Sequence, residues 1–221
     1  MAESGHESTV LDLPGCVEHT LLSPRADREA FVRLCRDADE AGCLGVCVPS
    51  RWVSRIRAET GRTVVSVVGF PSGSVISSAK AEEARAAVEA GADELDMVAD
   101  LGGIKSGLWS EVEKDIAGVV AAARPVKVIL ETGVLTEAEL RRAAEVAVQA
   151  GASFLKTCSG FAPGAAEPEV VAFLRDLVGG AVRIKASGGI RTRGQAEALI
   201  RAGASRIGTS RGPELLRTRD A

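Results

Sequence analysis

The sequence predicts a single-domain α/β protein, a (β/α)8 TIM barrel. Three observations carry this. Eight short strand-type runs alternate with helix-patterned stretches along 221 residues, at roughly 25 to 30 residues per unit. Hydrophobic residues are 46% of the chain but aromatics only 3%, with no tyrosine. That suits small aliphatics packed between helices and parallel strands. Ala41-Gly42-Cys43, Ala90-Gly91-Ala92, Ala150-Gly151-Ala152 and Ala202-Gly203-Ala204 each close a helical stretch just before a strand. Ala-Gly is a common helix stop, so this echo only supports the pattern.

Residues 1–14 read as a tail or short helix, and 15–221 as the barrel. Cys16–Thr20 is the first strand, closed by Ser23-Pro24. From Asp27, Phe31, Leu34, Cys35 and Ala38 recur at helical spacing until Gly42. Gly45–Val48 is the second strand, and Trp52–Ala58 a short helix. Val64–Val68 is a β-branched run, as expected of a strand buried on both faces. The loop Gly69–Gly73 follows, then a helix over Ser77–Ala90. Glu94–Val98 is the fourth strand, followed by a glycine-bearing loop and a helix over Ser110–Ala123. The fifth strand is Val126–Glu131. Thr136–Ala150 is a helix that opens with a capping box, Thr136 with Glu139. Ser153–Lys156 is the sixth strand, before a helix over Glu167–Val178. Val182–Ala186 is the seventh, before a helix over Thr192–Arg201. Ser205–Gly208 is the eighth, and Pro213 suits the first position of a last short helix.

The formal net charge of −3 gives no basic field for nucleic acid. The N-terminal residues are polar and acidic, unlike a secretory signal. No apolar run approaches the roughly 20 residues of a membrane span. The five cysteines form no CxxC pair, and nothing completes a metal site around Cys43 and Cys47. Reduced thiols, a cytoplasmic location, no metal and no cofactor are the expectations.

The active face of such a barrel lies at the C-terminal strand ends. Glu18, His19, Cys47, Asp96, Lys127, Glu131, Lys156 and Lys185 fall near those ends. Strands six and seven are neighbours, so Lys156 and Lys185 face each other. A second cation lowers the pKa of a lysine in a partly dry site, and a neutral amine attacks carbonyls to form a Schiff base. Asp96 is then the acid/base, acting directly or through water. Lys127 and Glu131 are expected to form a supporting charge pair inside the barrel. The loops Ser187-Gly188-Gly189-Ile190-Arg191 and Gly208-Thr209-Ser210-Arg211-Gly212 are Gly/Ser-rich where such barrels hold phosphate.

Six runs carry a resemblance. They are Val67–Gly73, Glu94–Val98, Lys127–Thr132, Lys156–Phe161, Lys185–Arg191 and Ile207–Ser210. In content and order they resemble the deoxyribose-phosphate aldolases over nearly the whole chain. The resemblance implies a metal-free class I aldolase. Such an enzyme cleaves 2-deoxyribose 5-phosphate reversibly to glyceraldehyde 3-phosphate and acetaldehyde. It implies Lys156 as the Schiff-base lysine, Lys185 as the lysine that lowers its pKa, and Asp96 as proton donor and acceptor. Gly188, Gly189 and Ser210 match phosphate positions, and Thr157 and Arg211 join them as expected substrate contacts. A homodimer or a homotetramer is the expected assembly. The chain departs from the usual pattern at Glu18 (often Asp), at Thr157-Cys158-Ser159 (usually Thr-Ser-Thr), at Arg211 (usually Ser), and in lacking a C-terminal tyrosine. Two alternatives stay open: a transaldolase-like or other lysine aldolase with a different donor, and a non-catalytic phosphosugar-binding barrel.

Overall fold

The structure, a computed structural model, describes residues 12–217. Of the tail expected at 1–14, residues 1–11 lie outside the described residues. Pro14–Cys16 is a 3-10 turn that leads into the first strand.

The strands are β1 Val17–Thr20, β2 Gly45–Pro49, β3 Thr63–Val68, β4 Glu94–Val98, β5 Val126–Ile129, β6 Phe154–Lys156, β7 Arg183–Ser187 and β8 Arg206–Thr209. They close into one parallel barrel in chain order, with β1 paired to β8. The helices are α1 Arg28–Ala41, α2 Val53–Glu59, α3 Ser77–Glu89, α4 Leu101–Lys105, α5 Trp109–Val120, α6 Glu137–Gln149, α7 Pro168–Val178, α8 Arg193–Ala202 and α9 Gly212–Leu216.

Helix α1 shows how these elements arise. Asp27 caps it by accepting from the N–H of Ala30 at 2.8 Å. Phe31, Leu34, Cys35 and Ala38 make one buried face. Gly42 ends it in the left-handed region at φ 72. The capping box expected at Thr136 is present, and α8 carries a second one, Thr192 with Gln195.

Three segments differ from expectation. The glycine-bearing loop after β4 contains the short helix α4, capped by Asp100 on Gly103 N–H. Cys16 belongs to the 3-10 turn rather than to β1. Strand β5 stops at Ile129, because Glu131 adopts a left-handed backbone, φ 54 and ψ 60.

Strand alternation splits the core in two. Val46, Val64, Leu95, Met97, Val128, Leu155 and Ile184 join the helix-facing layer. Inside the barrel, Cys47, Val65 and Val67 form a separate small apolar cluster, with Leu22 and Phe70 above it. Opposite that cluster the interior is charged.

Candidate active site

Register sets the charged side. Lys156 is the direct partner of Lys185 across β6 and β7, and Asp96 is the partner of Lys127 across β4 and β5. Paired residues on parallel strands point to the same face, so all four turn inward. Asp96 is fully buried and joins the three lysines. Its Oδ2 accepts from Lys156 Nζ at 2.8 Å and from Lys185 Nζ at 2.7 Å. Its Oδ1 accepts from Lys127 Nζ at 2.9 Å. Lys185 also donates to Glu18 Oε2. Lys127 reaches Glu94 Oε2 at 2.6 Å and Glu18 Oε1 at 3.6 Å.

The electrostatics follow from this sharing. Burial alone would raise the pKa of Asp96, but Lys127, Lys156 and Lys185 outweigh it and hold the carboxyl well below the usual carboxylate range. Burial works against the charge of Lys185, yet Asp96 and Glu18 outweigh it and raise its pKa above the ordinary lysine value. Lys127 shifts upward by the same balance, through Asp96 and Glu18. Lys127, Lys156 and Lys185 thus share the fully buried Glu18 and Asp96 and the half-buried Glu94, and Arg206 Nε lies 3.8 Å from Glu18 Oε1.

Lys127 and Glu131, expected to pair, turn to different partners. Lys127 lies within β5 and takes the carboxylates just described. Glu131 lies past the strand end, where the left-handed turn redirects it, and both its oxygens accept from Ser159 N–H, at 3.1 and 3.2 Å. Thr157, expected at the substrate, is fully buried, and its hydroxyl is engaged by backbone. It donates to Ser187 O at 2.8 Å and accepts from Ser187 N–H at 3.0 Å, bracing the ends of β6 and β7.

Glu18 is one of the charged groups near the strand ends but is not in the expected site set. Its signal was a charged residue within a four-residue strand whose neighbours Val17 and His19 are themselves buried. His19 points outward, where burial lowers its pKa and its Nδ1 accepts from Gly212 N–H at 3.4 Å. Cys47 sits among Val65 and Val67, and burial pushes its thiol up to about 11. It is therefore protonated at neutral pH and a weak nucleophile.

The expected phosphate loops lie side by side. Thr209 Oγ1 donates to Ile190 O at 2.8 Å and so ties the loop after β8 to the loop after β7. Gly188 has φ 107, and a Cβ there would lie 2.8 Å from Cys158 Cβ. Gly208 passes so close to Lys185 that a Cβ would lie 2.9 Å from its Cε. Ser210 and Arg211 are exposed. Ser210 also borders a cleft of about 560 Å³ between α1 and α9, with His19, Asp37, Glu40 and Glu214. None of the three lysines lines that cleft, so its size says nothing about the chemistry in the barrel. Phe70 and Phe161, from the loops after β3 and β6, meet edge to face at 5.0 Å over the mouth.

Residues 16–214 match the model of the DeoC/LacD family aldolases. A deoxyribose-phosphate aldolase of Geobacillus sp. strain WCH70 is 44% identical over 211 residues, covering 93% of this chain and 95% of the relative. Among solved structures, the aldolase QR15 superposes with a TM-score of 0.91 at 34% identity, over 93% of this chain and 95% of its own. The tetrameric deoxyribose phosphate aldolase of Aeropyrum pernix superposes with a TM-score of 0.85 at 33% identity, over 93% and 89%.

Proposed function

The chain belongs to the DeoC/LacD family of aldolases, and from that premise we propose that it cleaves 2-deoxy-D-ribose 5-phosphate reversibly to D-glyceraldehyde 3-phosphate and acetaldehyde. The barrel, residues 15–221, is its catalytic unit. The observation that carries the reading is the convergence of Lys156 and Lys185 on one oxygen of Asp96.

The mechanism starts from the open-chain sugar. The unprotonated amine of Lys156 adds to the C1 carbonyl, and the carbinolamine loses water to give an iminium. Asp96, directly or through a water, takes the proton of the C3 hydroxyl. The C2–C3 bond breaks, its electrons pass to the iminium, and glyceraldehyde 3-phosphate leaves. The remaining enamine is protonated at C2 and hydrolysed, which releases acetaldehyde and restores Lys156. Lys185 keeps its proton and its positive charge beside Lys156, which favours the neutral amine there.

Two further observations support the substrate. The interior wall of Cys47, Val65 and Val67 is apolar and suits an unsubstituted two-carbon donor. The adjoining Gly188–Gly189 and Gly208–Arg211 loops suit a terminal phosphate, because glycine lets backbone N–H groups approach an anion. A phosphorylated, unhydroxylated-donor aldol product is therefore favoured over that of a dihydroxyacetone-type donor.

All five cysteines are free thiols, which goes with a reducing compartment such as the cytoplasm. No helix among the described residues is long and apolar enough to cross a membrane. A homodimer or homotetramer is the proposed assembly, to be measured by sedimentation.

Borohydride reduction in the presence of acetaldehyde tests the mechanism. It should add one two-carbon unit, mapped by mass spectrometry to Lys156. An adduct on Lys185 or Lys127, or none, would overturn the assignment. Product analysis with glyceraldehyde 3-phosphate and either acetaldehyde or dihydroxyacetone tests the donor.

A further inference from the structure

Glu131 combines two features that proteins rarely keep together without a use. It is one of two non-glycine residues with positive φ among those described, and its carboxylate is completely buried. A left-handed backbone is uncommon outside glycine, and a buried carboxylate is costly unless it is hydrogen-bonded. Such combinations cluster where a position is functionally constrained. Glu131 lies just past the C-terminal end of β5, beside the strand that ends in Lys156.

Its contacts lead into the mouth of the barrel. Both carboxylate oxygens accept from the N–H of Ser159, three residues past Lys156. Ser159 Oγ in turn accepts from Phe161 N–H at 3.0 Å, which sets the backbone carrying the exposed Phe161. The next residue, Thr132, donates its N–H to Thr157 O at 3.1 Å and places its hydroxyl 3.4 Å from Cys158 Sγ. Cys158 packs beneath Gly188, and Ala166 N–H donates to Gly188 O at 3.0 Å. The turn is thus seated against the whole Thr157–Ala166 loop. At its far edge, a Cβ on Gly133 would lie 2.6 Å from Gly164 Cα.

We propose that Glu131 is a positioning residue of this enzyme. Its buried carboxylate fixes the loop after Lys156 and, through Cys158 and Ala166, the Gly188–Gly189 backbone where the phosphate binds. The inference rests on the aldolase reading and adds to it a residue that acts at a distance from the reacting atoms.

Three variants separate the carboxylate from the backbone. Glu131→Gly adopts the left-handed conformation without cost but holds nothing. Glu131→Asn tolerates that conformation and is too short to reach Ser159. Glu131→Gln keeps an acceptor oxygen at the right length. The Gly and Asn variants should raise KM for 2-deoxyribose 5-phosphate by about tenfold or more, as expected of a misplaced binding loop. They should still form the borohydride-trapped acetaldehyde adduct at Lys156 at the parental rate. The Gln variant should restore KM to near the parental value.

Parental KM in Glu131→Gly, a Gln variant as impaired as Gly, or loss of trapping together with affinity would each overturn the proposal. So would failure of both the Gly and Asn variants to accumulate as folded protein, since the role would then be structural alone. A parent enzyme that forms no adduct at Lys156 would instead overturn the aldolase reading, so the two failures are distinguishable.

Discussion

Lys156 and Lys185 are register partners on adjacent strands, and both ammonium groups donate to the same oxygen of Asp96, at 2.8 and 2.7 Å. Sharing one acceptor weakens the hold of Asp96 on either lysine. Lys185 keeps a second anion, Glu18, whereas Lys156 has only Asp96 among the charge partners described. Of the two, Lys156 is held by the fewer anions.

Replacing Lys185 with leucine should therefore act twice in the same direction. It removes a neighbouring positive charge, and it leaves Asp96 Oδ2 to Lys156 alone. Both changes favour the ammonium form of Lys156. Cleavage of 2-deoxyribose 5-phosphate should fall strongly near pH 7 and recover in part at alkaline pH. An acidic limb of the pH–rate profile that does not move would show that the two lysines are uncoupled.

Lys156→Ala should abolish both addition and cleavage while circular dichroism reports an intact fold. The alanine leaves Lys185 with Glu18 and Asp96, and Lys127 with Asp96 and Glu94. Substantial cleavage by this variant would mean that another group carries the chemistry.

Asp96→Asn should lower turnover by roughly 10² or more, the usual scale for a lost general acid/base. It should also lower stability, because three buried lysines would then face Glu18 as their only fully buried anion. The pKa of Asp96 is depressed in the folded state. Its contribution is therefore present above the unfolded value of about 3.9 and is lost as pH falls through the folded value. The stability gap between parent and variant, measured by urea unfolding, should be widest near neutrality and narrow below about pH 4. A gap that widens in acid would contradict the depressed pKa.

Gly188→Ala tests the phosphate loop. Glycine here has φ 107, and a methyl group would meet Cys158 Cβ at 2.8 Å. Because Cys158 is wedged between Thr132 and this loop, it has little room to yield. Strain of this kind costs about 1–3 kcal/mol, to be read by denaturant unfolding. KM for the phosphorylated sugar should rise more than KM for 2-deoxyribose. Equal stability and unchanged KM would mean that the loop is pliant and not preformed.

The barrel was legible because its signals are local. Helix caps such as Asp27 and Thr136, glycine stops such as Gly42, and β-branched runs such as Val64–Val68 each set a short stretch independently of the rest. The candidate site was legible where a charged residue interrupts a buried strand, as Asp96, Lys127, Lys156 and Lys185 do. The pairing inside the barrel was not, because it depends on which strands are neighbours and on side-chain reach across the interior. Glu131 looked like the end of β5 and like a partner for Lys127. A single left-handed residue, with no glycine to mark it, turned it toward Ser159 instead. Thr157 looked like a substrate contact, but its hydroxyl is engaged by Ser187, a residue 30 positions away.

The last prediction concerns Arg211. It stands at the N-cap of α9, exposed, with its backbone N–H bound to Thr209 Oγ1 at 3.0 Å. Thr209 in turn ties this loop to Ile190 beside Gly188 and Gly189, so Arg211 is anchored next to the proposed phosphate site. Its guanidinium makes no ion pair with any described residue and carries five N–H donors. A planar, permanently charged fork suits a two-point grip on phosphate better than a single hydroxyl would. Arg211→Ser should raise KM for 2-deoxyribose 5-phosphate, at a loss of about 1.5–3 kcal/mol if the hydrogen bonds go to a charged group. The effect should weaken with added salt if the side chain only raises the local potential, and persist if it bonds directly. KM for unphosphorylated 2-deoxyribose should barely change. Equal effects on both sugars, or none on either, would show that Arg211 does not hold the phosphate.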